Sequence, residues 1–285
     1  MDGRAKSLFP FILMLFIMLT MPLTIFPVSH DIDLSSDDIS TTTAKSQTTW
    51  SGVVELTESY TIAVTDELII APCTLVKVPN SARIFVDGRL SIEGDSTCPV
   101  VIDQASTGLH YGIQFNQSSY GRGSIIDNLS IDNSMYGVTV YGSNPVLNNV
   151  TINNPSRVGI DLFSNANPTI RDLMVDQSGR GFTYSDWRYG IGLSVGAGSS
   201  PIVERAVLSD MRIRGLNIWG DSGGIYRQIT IDNTTAEGAS AISAGVWVED
   251  SRPLITNVSV DKSDYGILIR HIDDGGNTRA VVRDC

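Results

Sequence analysis

Histidine is almost missing from this chain of 285 residues: His30, His110 and His271 are the only three, and they lie far apart. That scatter excludes a histidine-based zinc site. It also leaves no base beside a serine nucleophile, so the GDSGG string inside Trp219–Tyr226, which surrounds the nucleophile of trypsin-like proteases, carries no protease reading. Cysteine is equally scarce, and three residues are too few for a small disulfide scaffold, which a chain of this length does not need. Basic residues are outnumbered, 20 Lys and Arg against 31 Asp and Glu, for a net charge of −11. No basic cluster offsets that balance, which excludes a nucleic-acid partner.

Charge is also absent from Leu8 to Val28, an apolar run preceded by Arg4 and Lys6. Residues 1–30 therefore form an export signal, either a cleaved signal peptide or an N-terminal membrane anchor, and they are the only part with a reason to meet a membrane. Residues 31–49, rich in Ser, Thr and Asp, read as a flexible polar tether. An exported protein reaches an oxidising compartment at the cell surface or outside it. Cys73 and Cys98 lie about one repeat unit apart, so they either bridge neighbouring coils or remain free thiols.

The remainder, residues 50–285, is dominated by a repeat. NPVLNNVTINN from Asn144 returns as NPTIRDLMVDQ from Asn167, SPIVERAVLSD from Ser200, GGIYRQITIDN from Gly223 and RPLITNVSVDK from Arg252. Counting from the opening residues Ser124, Pro145, Pro168, Pro201, Gly224 and Pro253, apolar residues recur at the second, fifth and seventh places. Alternation marks a strand, and the jump from second to fifth demands a bend. Asn128, Asn149, Asp172 and Asn257 stand at the fourth place, and Asn and Asp tolerate a left-handed corner. A second strand follows, built on Gly112, Gly137, Gly159, Gly190, Gly215, Gly245 and Gly266, with Ile113, Val138, Ile160, Ile191, Leu216, Val246 and Ile267 expected in one column. A unit this short cannot bury its apolar side alone, so successive units must stack. The expected fold is all-β, a single-stranded solenoid coiled as a right-handed parallel β-helix.

The segment IIAPCTLVKVPNSARIFVDGRLSIEGDSTCPVVIDQAS leading into HYGIQF resembles the opening of secreted right-handed β-helix surface proteins of the pectate-lyase-like kind. Cys73 stands where that family usually has glycine. The resemblance implies the fold but no activity, because the family mixes enzymes with non-catalytic surface proteins. HIDDGGNTRAVVRDC begins another unit, with Ala280 at the opening and Cys285 at the inward fifth place, so the sequence reads as a fragment of a longer protein.

Two connections, in alternate units, are longer than the rest and leave from one corner. They suggest a groove. One wall offers Phe182, Tyr184, Asp186, Trp187 and Arg188, the other Glu237, and the short unit between supplies a floor of Arg212 and Arg214. Aromatic faces bind sugar rings and arginine recognises carboxylates, so the groove suits an acidic polysaccharide. The bland alternative is that solenoid loops vary freely on the surface. The leading expectation is a non-enzymatic extracellular or cell-surface protein that binds carbohydrate or envelope partners. The competitor is a polysaccharide lyase or glycoside hydrolase using Asp186, Glu237 and Arg212. No cofactor is required, although Asp232, Asp261 and Asp264 could hold calcium. Asn233, in a sequon that begins a long loop, is the best glycan acceptor.

Overall fold

The computed structural model describes residues 46–179, 189–236, 242–272 and 278–285. Among them the chain coils into a parallel β-helix. Thirteen strands form a large sheet and nine a narrow one, and all the strand pairs are parallel. The early circuits contribute two strands to the large sheet and one to the narrow one, and from Ile125–Asp132 onward each circuit contributes one strand to each. The coil begins at Ser46–Trp50, which pairs with Asp66–Ile70, so the last residues of the expected tether belong to the fold. No helix among the described residues is long and apolar enough to cross a membrane, and the run Leu8–Val28 lies outside them.

The apolar columns stack as the repeat requires. Leu129 pairs with Val150, Val150 with Leu173, Leu173 with Ala206, Ala206 with Ile229 and Ile229 with Val258. These residues, with the second- and seventh-place columns beside them, form one core, and most are fully buried. Burying each such side chain stabilises the coil by about 1.5–3 kcal/mol before entropy is counted.

Two left-handed corners fix the strand of the large sheet. Asn128, Asn149, Asp172 and Asn257 take φ of 50–55°, and Arg205 and Gln228 adopt the same conformation in their units at 59° and 57°. A second corner, five residues later, holds Asn133, Asn154, Gln177, Asp210, Asn233 and Lys262, all left-handed. The fourth-place corner is a compressed form of an open turn seen earlier in the chain. The first half of Ile125–Asp132 pairs with Arg89–Glu93 and the second half with Val100–Gln104, so residues between those strands occupy the space that Asn128 closes. Asn128 donates to the Gly94 carbonyl there at 2.8 Å. Cys73 sits on the same edge at φ 61°, which accounts for the family's preference for glycine, and it is bonded to Cys98.

One column differs from expectation. Ile160 pairs with Leu193, not Ile191, and Leu193 pairs with Leu216. In the YGIGL unit it is therefore Gly192 that joins the glycine column. A Cβ at Gly159 would press on the Gly192 carbonyl at 2.6 Å, and one at Gly192 on the Gly215 carbonyl at 2.8 Å. Two glycines two residues apart fit the pattern equally well, and the structure uses the second. At the last unit Asp284 takes the left-handed corner, as an opening at Ala280 requires, while Cys285 is an exposed free thiol among the described residues.

The GDSGG string is also absorbed by the coil. Ser119, Ser143, Ser199, Ser222 and Ser251 are all buried at a third corner. Ser222 donates to the Trp219 carbonyl at 2.7 Å, as Ser199 does to Gly196 at 2.7 Å and Ser119 to Asn116 at 2.7 Å. His110 is buried too. Its Nδ1 accepts from the Gly112 amide at 3.0 Å, so the ring proton is on Nε2, which faces the Asp132 carbonyl at 3.0 Å. Burial holds its pKa below the usual histidine value.

The corners yield a test. A left-handed backbone costs a residue with a long side chain about 1 kcal/mol more than it costs glycine. Gln228→Gly is expected to raise unfolding stability by about that amount, measured by urea titration. A loss of stability would show that the Gln228 side chain contributes more than its backbone strain costs.

Candidate functional site

The expected groove is only partly within the described residues. Phe182, Tyr184, Asp186, Trp187, Arg188 and Glu237 lie outside them. Arg212 is buried at 7% exposure, so it does not present an open floor. Its amide donates to the Ser178 carbonyl at 3.0 Å, and its Cβ fills the space that side chains at Gly179 and Gly190 would need. Arg214 faces the outside of the narrow sheet, 3.8 Å above the Trp247 ring, and donates to Asn217 Oδ1 at 2.6 Å.

The three carboxylates expected to hold calcium are engaged otherwise. Lys262 bridges Asp232 at 3.1 Å and Asp261 at 3.6 Å. Asp264 instead accepts from the Ser243 amide and hydroxyl, which hold its carboxyl below the usual range. No group of three or more metal-ligating side chains occurs among the described residues. Asn233 is a left-handed corner residue whose side-chain amide donates to Asp210, so a glycan there would cost that bond.

A better-built site lies on the outer face of the narrow sheet. In its strands the residues between core positions must point outward. Register aligns them into one file, Thr139, Asp161, Ser194, Asn217 and Trp247, on five successive rungs. Two residues further along is a parallel file: Tyr141 and Phe163 as a register pair, then Gly196 and Trp219, each one residue past the end of its strand, and Glu249. With rungs about 4.8 Å apart, the face spans about 19 Å along the coil.

The polar file is desolvated although it faces outward. Thr139, Ser194, Asn217 and Trp247 are exposed by 6%, 5%, 0% and 4%. Asn217 has its oxygen occupied by Arg214, while its Nδ2 is buried without a hydrogen-bond partner among the described residues. Such a donor costs about 1–3 kcal/mol. Asp161 is raised from 3.8 to about 6, because burial disfavours its charge more than a hydrogen bond from Ser194 favours it.

Arginines line the side of the face that leads into the strands. Arg157 stacks over Tyr189 at 4.3 Å and Tyr136 at 5.8 Å, and donates to both hydroxyls. Tyr111 stacks on Tyr136 at 6.2 Å and is covered by Arg83 at 4.6 Å. At the other end Arg214 and Arg270 sandwich Trp247, while Glu249 accepts from its indole at 3.2 Å and pairs with Arg270 at 3.4 Å. Burial lowers Arg214 to about 10, so it stays charged at neutral pH. In an acidic chain this face gathers positive charge around a single near-neutral carboxyl.

Asp161, Ser194, Asn217 and Trp247 escaped sequence reasoning, although a signal existed. Each sits one place after a core residue of the second strand, and reading those places as a column would have exposed the file. The Ile191 misalignment broke that column at Ser194.

The family model described as right handed beta helix region matches residues 90–278. No curated protein matches the chain. Among solved structures, the chain is similar to an alginate lyase from Paenibacillus sp. str. FPU-7, with a TM-score of 0.51 at 11% identity over 82% of this chain and 98% of that one. It is also similar to the catalytic domain of a GH87 alpha-1,3-glucanase in complex with tetrasaccharides, with a TM-score of 0.45 at 13% identity over 81% and 58%. At these identities the likeness is one of fold.

Asp161 gives a pH-dependent prediction. Its folded pKa lies above its unfolded value, so its contribution to stability is greatest below about 3.8 and declines as pH rises through about 6. Above that, the ionised carboxylate costs on the order of 3 kcal/mol. Asp161→Asn is expected to stabilise the protein at pH 7.5 and to change little at pH 3.5, measured by denaturant unfolding at both values. An equal effect at both would remove the desolvated-carboxylate account.

Proposed function

We propose that this chain, which belongs to the right-handed β-helix family, is an exported carbohydrate-binding surface protein that lays an acidic polysaccharide along the outer face of its narrow sheet. The observation that carries this reading is Asn217 Nδ2, a fully buried amide donor without a partner among the described residues, in an outward-facing file beside charged Arg214. A carboxylate or hydroxyl oxygen of a sugar acid would satisfy that donor once the side chains covering it turn aside. Export is supported by the apolar N-terminal run after Arg4 and Lys6 and by the Cys73–Cys98 bond, which persists in an oxidising compartment. Binding alone is the simpler activity, since it needs no second catalytic group.

One observation favours a second, enzymatic reading: the Asp161 carboxyl, poised near neutral pH as a general base must be. As the carboxylate it would take the proton on the carbon bearing a uronate's carboxyl group. The bond from the neighbouring carbon to the glycosidic oxygen would break, a carbon–carbon double bond would form, and the departing oxygen would take up a proton.

Both readings are tested on one panel of polyuronates and neutral glucans, with and without calcium. Calorimetry is expected to show polyuronate binding that Asn217→Leu weakens about tenfold. Equal affinity for neutral glucans would remove the acidic-ligand reading. Catalysis would produce ultraviolet absorbance from unsaturated ends, rising with pH through about 6 and absent from Asp161→Asn. If the wild type gives neither unsaturated nor reducing ends on any substrate, the protein is a binder alone.

A further inference from the structure

The second outward file differs from most of the aromatic groups on the narrow-sheet face. Tyr111, Tyr136, Tyr189 and Trp247 are each covered by an arginine. Tyr141, Phe163 and Trp219 are not covered by one among the described residues, and Tyr141 and Trp219 are 41% and 36% exposed. Tyr141 meets Phe163 edge to face at 5.0 Å. The next rung carries Gly196, and the Trp219 indole lies over that glycine, occupying the space its Cβ would fill. The indole therefore folds down from its own rung onto the one below, and three aromatic groups cover three successive rungs.

We propose that Tyr141, Phe163 and Trp219 form a stacking subsite for the apolar faces of sugar rings, with Gly196 as the residue that positions the indole. The proposal rests on the carbohydrate-binding reading above and adds the direction and spacing of the bound chain. The ligand runs along the coil axis, close to one pyranose per rung of about 4.8 Å. Its ring faces rest on the aromatic file, and its polar edges turn toward the neighbouring file, where Phe163 has Asp161 and Trp219 has Asn217 two residues earlier in the chain. Aromatic rings offer an apolar face to the C–H side of a sugar. The adjacent unpartnered Asn217 amide supplies the polar half of the same contact.

The test uses the full chain and a polyuronate oligosaccharide series of increasing length, read by calorimetry. The affinity of the wild type is expected to rise with each added ring until three are stacked, then to level off. Tyr141→Ala, at an exposed position, and Trp219→Ala are each expected to weaken binding about tenfold. Gly196→Val should displace the indole and match Trp219→Ala while Trp219 is still present. Circular dichroism and urea midpoints identify any variant that fails to fold, and Tyr141→Ala then carries the test alone. Wild-type binding that survives Tyr141→Ala and a folded Trp219→Ala unchanged overturns the stacking subsite but leaves the carbohydrate reading standing. A wild type that binds no oligosaccharide in the series overturns both.

Discussion

The structure depends on a backbone conformation that most residues avoid. At the fourth and ninth places of each unit the chain passes through a left-handed corner, and these two turns make each strand of the large sheet bend at the same spot as the strand beneath it. Without the first corner, the fifth-place residue would point outward and the core column from Leu129 to Val258 would lose its register. Asn and Asp lower the cost because their short side chains tolerate the conformation and then bond to the neighbouring corner, as Asn149 does to Asn128 and Asn154 to Asn133. Arg205 lacks that local advantage. It is held by a two-pronged ion pair to Asp172, the corner below, at 2.7 and 2.8 Å. The corner can therefore be imposed by its neighbours once enough units agree.

Exact stacking inside the coil forces stacking outside it. A residue one place beyond a core position on one rung must lie directly over its counterpart on the next, so any outward column becomes a straight file of side chains at fixed spacing. Most files on this protein serve the coil itself. Arg171 and Arg227 flank Glu204, and arginines interleave with tyrosines along the approach to the narrow sheet. The file from Thr139 to Trp247 serves it poorly. It contains a carboxyl moved toward neutrality and an amide donor without a partner among the described residues, both of which detract from stability.

The core was legible because burial imposes one residue class on each inward place, and the repeat samples each place six times. Even Ala206 and Tyr226, extremes of size, keep their columns. The disulfide was legible only as one of two possibilities, since spacing near one circuit is compatible with bridging but does not require it. The outward files were harder to read because solvent accepts many side chains, so Thr, Asp, Ser, Asn and Trp in one column share no chemical class. The second corner was visible in principle from Asn133, Asn154 and Asn233, yet Gln177 and Lys262 obscure it. The protease-like string shows the reverse effect. Ser222 looked chemical by its neighbours in sequence and proves structural by its neighbours in space, a member of a stack of buried corner serines.

A solenoid is well suited to carrying a costly site. Each rung is held mainly by the rungs above and below, so a penalty of a few kcal/mol at Asp161 or Asn217 is local and is offset by the fully buried columns directly behind them. Val140, Leu162, Val195, Ile218 and Val248 are all fully buried, which fixes the strands that point Asp161, Ser194 and Asn217 outward. A ligand that supplies a partner to Asn217 must turn aside the side chains that cover the amide, but the strands beneath do not need to rearrange. Since such a face is flat and extended, a chain-like ligand lying across several rungs gathers many weak contacts at once, whereas a single small molecule would engage one rung and leave the rest unused. The same stacking that makes the core regular thus favours a polymer as the partner.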